Sequence, residues 1–220
     1  MKKILLAAAV LFGSAFAVNA EETFAPKKGD ISTEIQFNPF SGDKIFSNGG
    51  VLQGRYFFTN KDAFLVEFGL SGTNEKTVGD TQTPNAFEKK YNGEFQINLG
   101  YQRHFYNYKR MDLYCGGKIG YVHQFAGHKN QEDVNNYVWN NEGVGNGFNL
   151  YLTTGFDFYV YKGLYLGAEI NLGFTDIVTT NWTQKVVENG ALTETKTAAG
   201  GHDFKGGFGV NPLIRLGWKF

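Results

Sequence analysis

The sequence predicts an all-β chain closed into an eight-stranded antiparallel up-and-down transmembrane β-barrel, and three observations carry that prediction. In residues 204–220 an apolar, aromatic set (Phe208, Val210, Pro212, Ile214, Leu216, Trp218, Phe220) alternates with a largely small or charged set (Gly207, Gly209, Asn211, Leu213, Arg215, Gly217, Lys219). A period of two over this length is a strand lying between two different solvents. The composition pairs 16% aromatic residues with 29 glycines, which fits a many-stranded protein better than a helical one. The connections alternate in length. Those at 59–62, 106–111 and 161–163 are short, whereas those at 39–48, 73–90, 126–146 and 175–202 are long.

At the start, Lys2 and Lys3, the apolar run 4–18 and the small residues around Ala20 form an expected secretory signal peptide over 1–20. That run is short for a spanning helix and ends in Glu21 and Glu22 rather than a basic flank, and no Cys follows to suggest a lipoprotein. An N-terminal tail on the periplasmic side is expected over 21–29 and one barrel domain over 30–220. Without Lys2 and Lys3 the chain keeps 19 basic residues against 21 acidic, a charge of −2, and a nucleic-acid partner is not expected. The single Cys115 excludes an internal disulfide framework and reads as a small packing residue on a strand. No later apolar run is long enough for a helical span.

Each strand rests on its own alternation. Residues 30–38 set Ile31, Thr33, Ile35 and Phe37 against Ser32, Glu34 and Gln36; 50–59 set Leu52, Tyr56 and Phe58 against Gln53, Arg55 and Phe57. Residues 63–72 set Phe64, Val66, Phe68 and Leu70 against Glu67, Gly69 and Ser71. The cleanest, 91–104, sets Phe95, Ile97, Leu99 and Tyr101 against Glu94, Gln96, Asn98 and Gln102. Residues 112–125 oppose Leu113, Cys115, Ile119 and Tyr121 to Gly116, Lys118, Gly120 and Gln124. Residues 148–160 oppose Leu150, Leu152, Phe156 and Phe158 to Asn149, Thr153 and Asp157. Residues 164–174 oppose Leu166, Ala168, Ile170 and Leu172 to Gly167, Glu169 and Asn171, and 204–220 is the last strand. Pro212 breaks the pattern there, because a proline inside a closed sheet needs a bulge or a missing ladder bond.

Alternation alone suits a soluble barrel equally well. The glycines distinguish the two, since Gly69, Gly100, Gly116, Gly155, Gly167 and Gly217 share the parity of the charged residues. The inside of an eight-stranded barrel is narrow and filled with side chains, so small residues belong there beside long ones. The polar face is therefore inside, and the apolar face meets lipid over the whole circumference. Phe58, Phe64, Phe158 and Trp218 then form one aromatic rim, and Phe37, Tyr91, Phe148, Phe174 and Phe208 the other. Short turns on one side and long loops on the other place both termini in the periplasm.

These features resemble the OmpA-type and OmpX-type small outer-membrane barrels. The resemblance implies that Leu216, Trp218 and Phe220 are the signal read by the barrel assembly machinery, with outer-membrane lipid as the surrounding partner. A second, peptidoglycan-binding domain and cell-wall tethering are not expected.

By this parity the lumen holds Glu34, Glu67, Glu94, Asp157 and Glu169 against Arg55, Lys118, Arg215 and Lys219. Arg55 is expected level with Glu34 and Glu67, with Arg215 closing onto Glu34. Such a set is either a structural ion-pair network or a gate that opens by exchange of arginine partners. The long loops carry Tyr137, Trp139 and Trp182 as candidate contacts for an extracellular ligand or protein, and the last of these loops is expected to hold a hairpin turned at Glu188-Asn189-Gly190. Neither G-x-S-x-G nor H-E-x-x-H occurs, so no enzymatic activity, cofactor or metal site is expected. His104 has no serine nearby in sequence, and His123, His128 and His202, with Glu132, Asp133 and Asp203, match no tight ligand spacing. The expectation is a monomeric outer-membrane barrel with a filled lumen and a structural or surface-binding role. A narrow channel for small solutes or apolar ligands is one alternative, and a lipid-modifying enzyme built on histidine is another.

Overall fold

The computed structural model describes residues 24–38, 50–78, 86–132 and 135–220, with the side chains of 142, 203 and 205–212 left aside. The expected signal peptide, Glu21 and Glu22, the loop at 39–48, Pro84 and Asp133 lie outside the described residues. Ten strands follow in order: β1 Ile31–Phe37, β2 Gly50–Phe57, β3 Asp62–Val78, β4 Phe87–Tyr108, β5 Met111–Gln131, β6 Tyr137–Tyr161, β7 Leu164–Thr179, β8 Trp182–Glu188, β9 Ala191–Ala198 and β10 His202–Lys219. Eight of them form an antiparallel ring, β1 to β7 and then β10, closed where β10 pairs with β1 from Ser32↔Lys219 to Phe37↔Ile214. The remaining two, β8 and β9, form a hairpin that pairs with the far end of β6.

Alternation along the strands sorts the two faces as the sequence pattern requires. Ile35, Leu52, Leu99, Ile119, Leu150 and Leu216 are exposed, while their neighbours Glu34, Gln53, Asn98, Lys118, Asn149 and Arg215 are buried inside the ring. Lumen glycines make room for that filling. A β-carbon on Gly217 would strike the Tyr165 ring, one on Gly155 the Tyr114 hydroxyl, and one on Gly120 the Asn98 amide. Cys115 lies on the outward face. The ring bends locally at β10, where Gly207 and Phe208 both face Gly173. Phe208 to Asn211 then advances three residues against the two from Gly173 to Asn171. This bulged stretch ends immediately before Pro212, where the ladder resumes opposite Ile170.

Two expectations change. The strands far outrun their predicted ends: β4 has 22 residues, β5 has 21 and β6 has 25, against about 9–11 needed to cross a bilayer. Much of what the sequence suggested were loops at 73–90, 126–146 and 175–202 is therefore strand, because a paired ribbon satisfies its backbone groups in water as well as in lipid. The hairpin expected at Glu188 to Gly190 is present, with Asn189 (φ 52°) and Gly190 (φ 76°) both left-handed as a type I′ turn demands. The lumen is also not polar throughout. Phe57, Leu65, Tyr114, Tyr159 and Tyr165 are buried inside it toward the end that carries the short turns. The segment before β1 closes that end, with Phe24 stacked on Tyr159 at 5.9 Å and Lys219 Nζ donating to the Phe24 and Ala25 carbonyls at 3.0 and 3.1 Å.

The face assignment makes a direct prediction. Leu99 points outward and is 47% exposed, so Leu99→Arg should destabilise the barrel in lipid vesicles by about 2–4 kcal/mol, the cost of a cation at the bilayer midplane. Reversible urea unfolding measures it, and a loss indistinguishable from that of Asn98→Ala would reverse the two faces.

Candidate functional site

Two linked charge clusters occupy the lumen. In the first, Glu34 is surrounded. Arg215 Nε donates to its Oε1 at 2.7 Å and a second Arg215 nitrogen bonds Oε2. Gln36 and Gln53 each donate to Oε1 at 2.7 Å, and the Tyr165 hydroxyl donates to Oε2 at 2.6 Å. Arg55 lies 3.2 Å from the same carboxylate and crosses the lumen to Asp157 at 2.8 Å, while its Nε donates to Ser32 at 3.0 Å. In the second cluster Lys118 Nζ sits between Glu67 and Glu169, 2.6 Å from each. Asn98 donates to the other Glu67 oxygen at 2.6 Å, and the Tyr114 hydroxyl to Glu169 at 2.8 Å. Arg215 joins the two, because its Nη1 lies 3.3 Å from Asp157 and 3.5 Å from Glu169 and also bonds Tyr114.

Burial sets the energetics. Arg55, Lys118, Arg215, Glu34, Asp157 and Glu169 are each no more than 2% exposed. A charge in such a place is tolerated only with partners of opposite sign and satisfied hydrogen bonds, which the crossing pattern supplies. The expected level match is corrected in one respect: Gln53, not Arg55, stands opposite both Glu34 and Glu67, and Arg55 stands opposite Ser32 and Leu65. The long guanidinium therefore reaches across the lumen to β6, and Glu67 is held by Lys118.

Two residues assigned to the lumen stand apart from these clusters. Glu94 accepts from Gln124 at 2.5 Å beside a mouth cavity of about 370 Å³ that Ser71, Asn92 and Thr179 also line. Lys219 pairs with Asp30 at 3.2 Å at the opposite end. Gln36, Gln53, Tyr114 and Tyr165 complete the network but were not singled out in sequence; all four have inward parity, the signal that could have found them. His104 bonds Asp112 at 2.6 Å and packs against Phe57 and Tyr114. The three rim histidines are dispersed, His123 on Asn146, His128 on Glu88 and His202 on Asp176. Among the described residues no group of three or more His, Cys, Asp or Glu is placed to hold a metal.

Of the candidate contacts, Tyr137 and Trp139 lie on β6 beyond the ring, beneath Lys129 and Lys185 respectively, and Trp182 opens β8. Leu216, Trp218 and Phe220 point outward on the closing strand, where the Phe220 amide donates to the Ile31 carbonyl at 2.8 Å.

Removing one partner of a buried pair costs more than the pair is worth. Lys118→Ala should lower stability by about 3–5 kcal/mol by stranding Glu67 and Glu169, whereas the triple variant E67Q/K118M/E169Q should recover most of that loss. Urea unfolding in vesicles compares them.

Three solved structures align with the chain, the first of them an outer membrane protein. Pseudomonas aeruginosa OprG is 14% identical with a TM-score of 0.48, covering 90% of this chain and 99% of its own. Ail, the attachment invasion locus protein of Yersinia pestis, is 14% identical with a TM-score of 0.41, covering 88% and 99%. Acinetobacter baumannii CarO is 11% identical with a TM-score of 0.31, covering 91% and 99%. No curated protein sequence matches the chain. The profile of a family of outer-membrane barrels matches residues 51–220, nearly the whole ring, and the chain belongs to that family, the OmpA-OmpF-like porins.

Proposed function

We propose that this outer-membrane barrel is a closed scaffold, monomeric and without enzymatic activity, whose strands carry a sheet outside the cell as a contact surface. One observation carries the reading: the lumen is blocked by buried, mutually bonded charges while β3 to β6 continue well past the length a bilayer needs. Rigidity is spent on the lumen and length on the outside. The turns at 58–61, 109–110 and 162–163, and with them both termini, face the periplasm in this reading. Leu216, Trp218 and Phe220 present the outward edge of the closing strand to the assembly machinery. A structural role for His104 is supported by its enclosure between Asp112, Phe57 and Tyr114.

A second reading, a narrow channel, is favoured by the arginines. Arg55 touches both Glu34 and Asp157, and Arg215 touches Glu34, Asp157 and Glu169, so each has an alternative partner already in reach. Planar-bilayer recording decides between them. The closed scaffold predicts no steady conductance from the wild-type protein and the appearance of conductance in Arg55→Ala, which empties the centre of the plug. Steady wild-type conductance would establish the channel instead. For orientation, an epitope inserted at Asn189 should be labelled on intact cells and one at Asn60 or Lys162 should not.

A further inference from the structure

The sheet beyond the bilayer has two faces that treat charge differently. On one, acids and bases neutralise each other. Lys90 lies 2.9 Å from Glu88, His128 lies 3.1 Å from the same carboxylate, and Lys196 lies 3.1 Å from Glu194. Lys90 and His128 together hold the Glu88 carboxyl below the usual carboxylate range.

The other face does the opposite. The ladder sets Lys76 opposite Lys89, Lys89 opposite Lys129, Lys129 opposite Trp139 and Trp139 opposite Lys185. Four lysines and a tryptophan thus form one transverse row over five strands, and among the described residues no carboxylate lies within ion-pair distance of any of the four lysines. Like charges directly across a ladder destabilise a sheet, so the row calls for a counter-ion that the described residues do not provide. Aromatic rings hold the ammonium groups in place. Lys76 and Lys129 lie 4.5 and 5.3 Å from the Phe87 ring, Lys129 is 4.4 Å from Tyr137, and Lys185 is 5.2 Å from Trp139. A ring beneath an ammonium group leaves its N–H donors free to point away.

The row's height is set by the strands. The β3–β4 register is unbroken from Asp62 to Val78, so Lys89 shares the outward parity of Leu99, Ile97 and Phe95. Counting about 9–11 residues for a bilayer crossing from Tyr101 ends at Tyr91, and Lys89 is the next outward residue. It stands at the level of the headgroups, on the side that faces the membrane's own lipid.

We propose that this row binds the phosphorylated saccharide headgroups of outer-leaflet lipid. Lysine ammonium groups take the phosphate oxygens, and the Tyr137 hydroxyl and Trp139 indole N–H, at the edges of rings whose faces Lys129 and Lys185 cover, donate to sugar oxygens. The proposal rests on the outward orientation given above and is independent of whether the lumen conducts.

The test titrates fluorescent diphosphoryl lipid A into the folded barrel in zwitterionic micelles, a measurement that does not depend on topology in cells. Each lysine near an anionic surface contributes about fivefold in affinity, so K89Q/K129Q should bind about 25-fold more weakly than wild type. The opposite-face variant K90Q/K196Q should bind as wild type does. Should K89Q/K129Q lose the heat-modifiable gel shift of a folded barrel, K185Q replaces it, since Lys185 lies on the hairpin outside the ring, with an expected loss of about fivefold. Equal binding by wild type and the folded row variant would overturn the proposal, as would equal binding of the dephosphorylated lipid. Displacement of the lipid by inorganic phosphate or by soluble heparin at matched charge would also overturn it, reassigning the row to a free anion or a soluble polysaccharide.

Discussion

A peptide group in hydrocarbon has no water to bond, so a strand that crosses a membrane needs a neighbour on both sides, and the seam between β1 and β10 is where this chain meets that requirement. Six residue pairs from Ser32↔Lys219 to Phe37↔Ile214 join the first strand to the last, extended by the bond from the Phe220 amide to Ile31. The seam is short because β1 has only seven residues. On the other side, Phe57 N donates to the Asp30 carbonyl and Gly29 N to the Phe57 carbonyl, locking the start of β1 against β2. Everything inside the ring depends on that closure.

Closing eight strands fixes an interior only wide enough for side chains. With lipid outside, the polar residues have nowhere else to go, and once inside they are cut off from water. They must then satisfy one another. The result is a network in which β1, β2, β3, β5, β6, β7 and β10 each supply a charged group, so the ion pairs also tie opposite walls together. Glycine is the necessary complement. Tyr114 and Tyr165 can lie in the lumen because Gly155 and Gly217 leave space against them. The turn end is filled differently, by aromatic rings and by Phe24 entering from the segment before β1.

Beyond the bilayer the constraint relaxes, and the wall divides. Strands β3 to β6 keep their pairing and gain β8 and β9, so the extension is a sheet rather than a set of loops. The bulge between Phe125 and Gly127, near the left-handed Gly143, marks where β6 leaves β7 and turns to the hairpin. Chemical variety concentrates there because those residues are released from both lipid and lumen packing.

The strands, the inward set of charged residues, the turn at Asn189-Gly190 and the outward closing strand were legible in the sequence, since a period of two and a two-residue turn are local properties. The identity of the partners was not. Parity places Arg55, Glu34 and Glu67 on one face, but only the stagger of the closed ring carries Arg55 across to Asp157 and leaves Glu67 to Lys118. Strand length escaped as well. Residues such as Lys76, Lys89 and Lys129 read as loop by composition, and pairing with a neighbour, which no single segment encodes, made them strand. Sequence alone thus determined which strand residues share a face, because that is written in alternation, and the glycines on the charged face marked it as the inner one. Tertiary structure decided which residues meet, because shear and closure bring together distant positions such as Glu34 and Arg215, 181 residues apart.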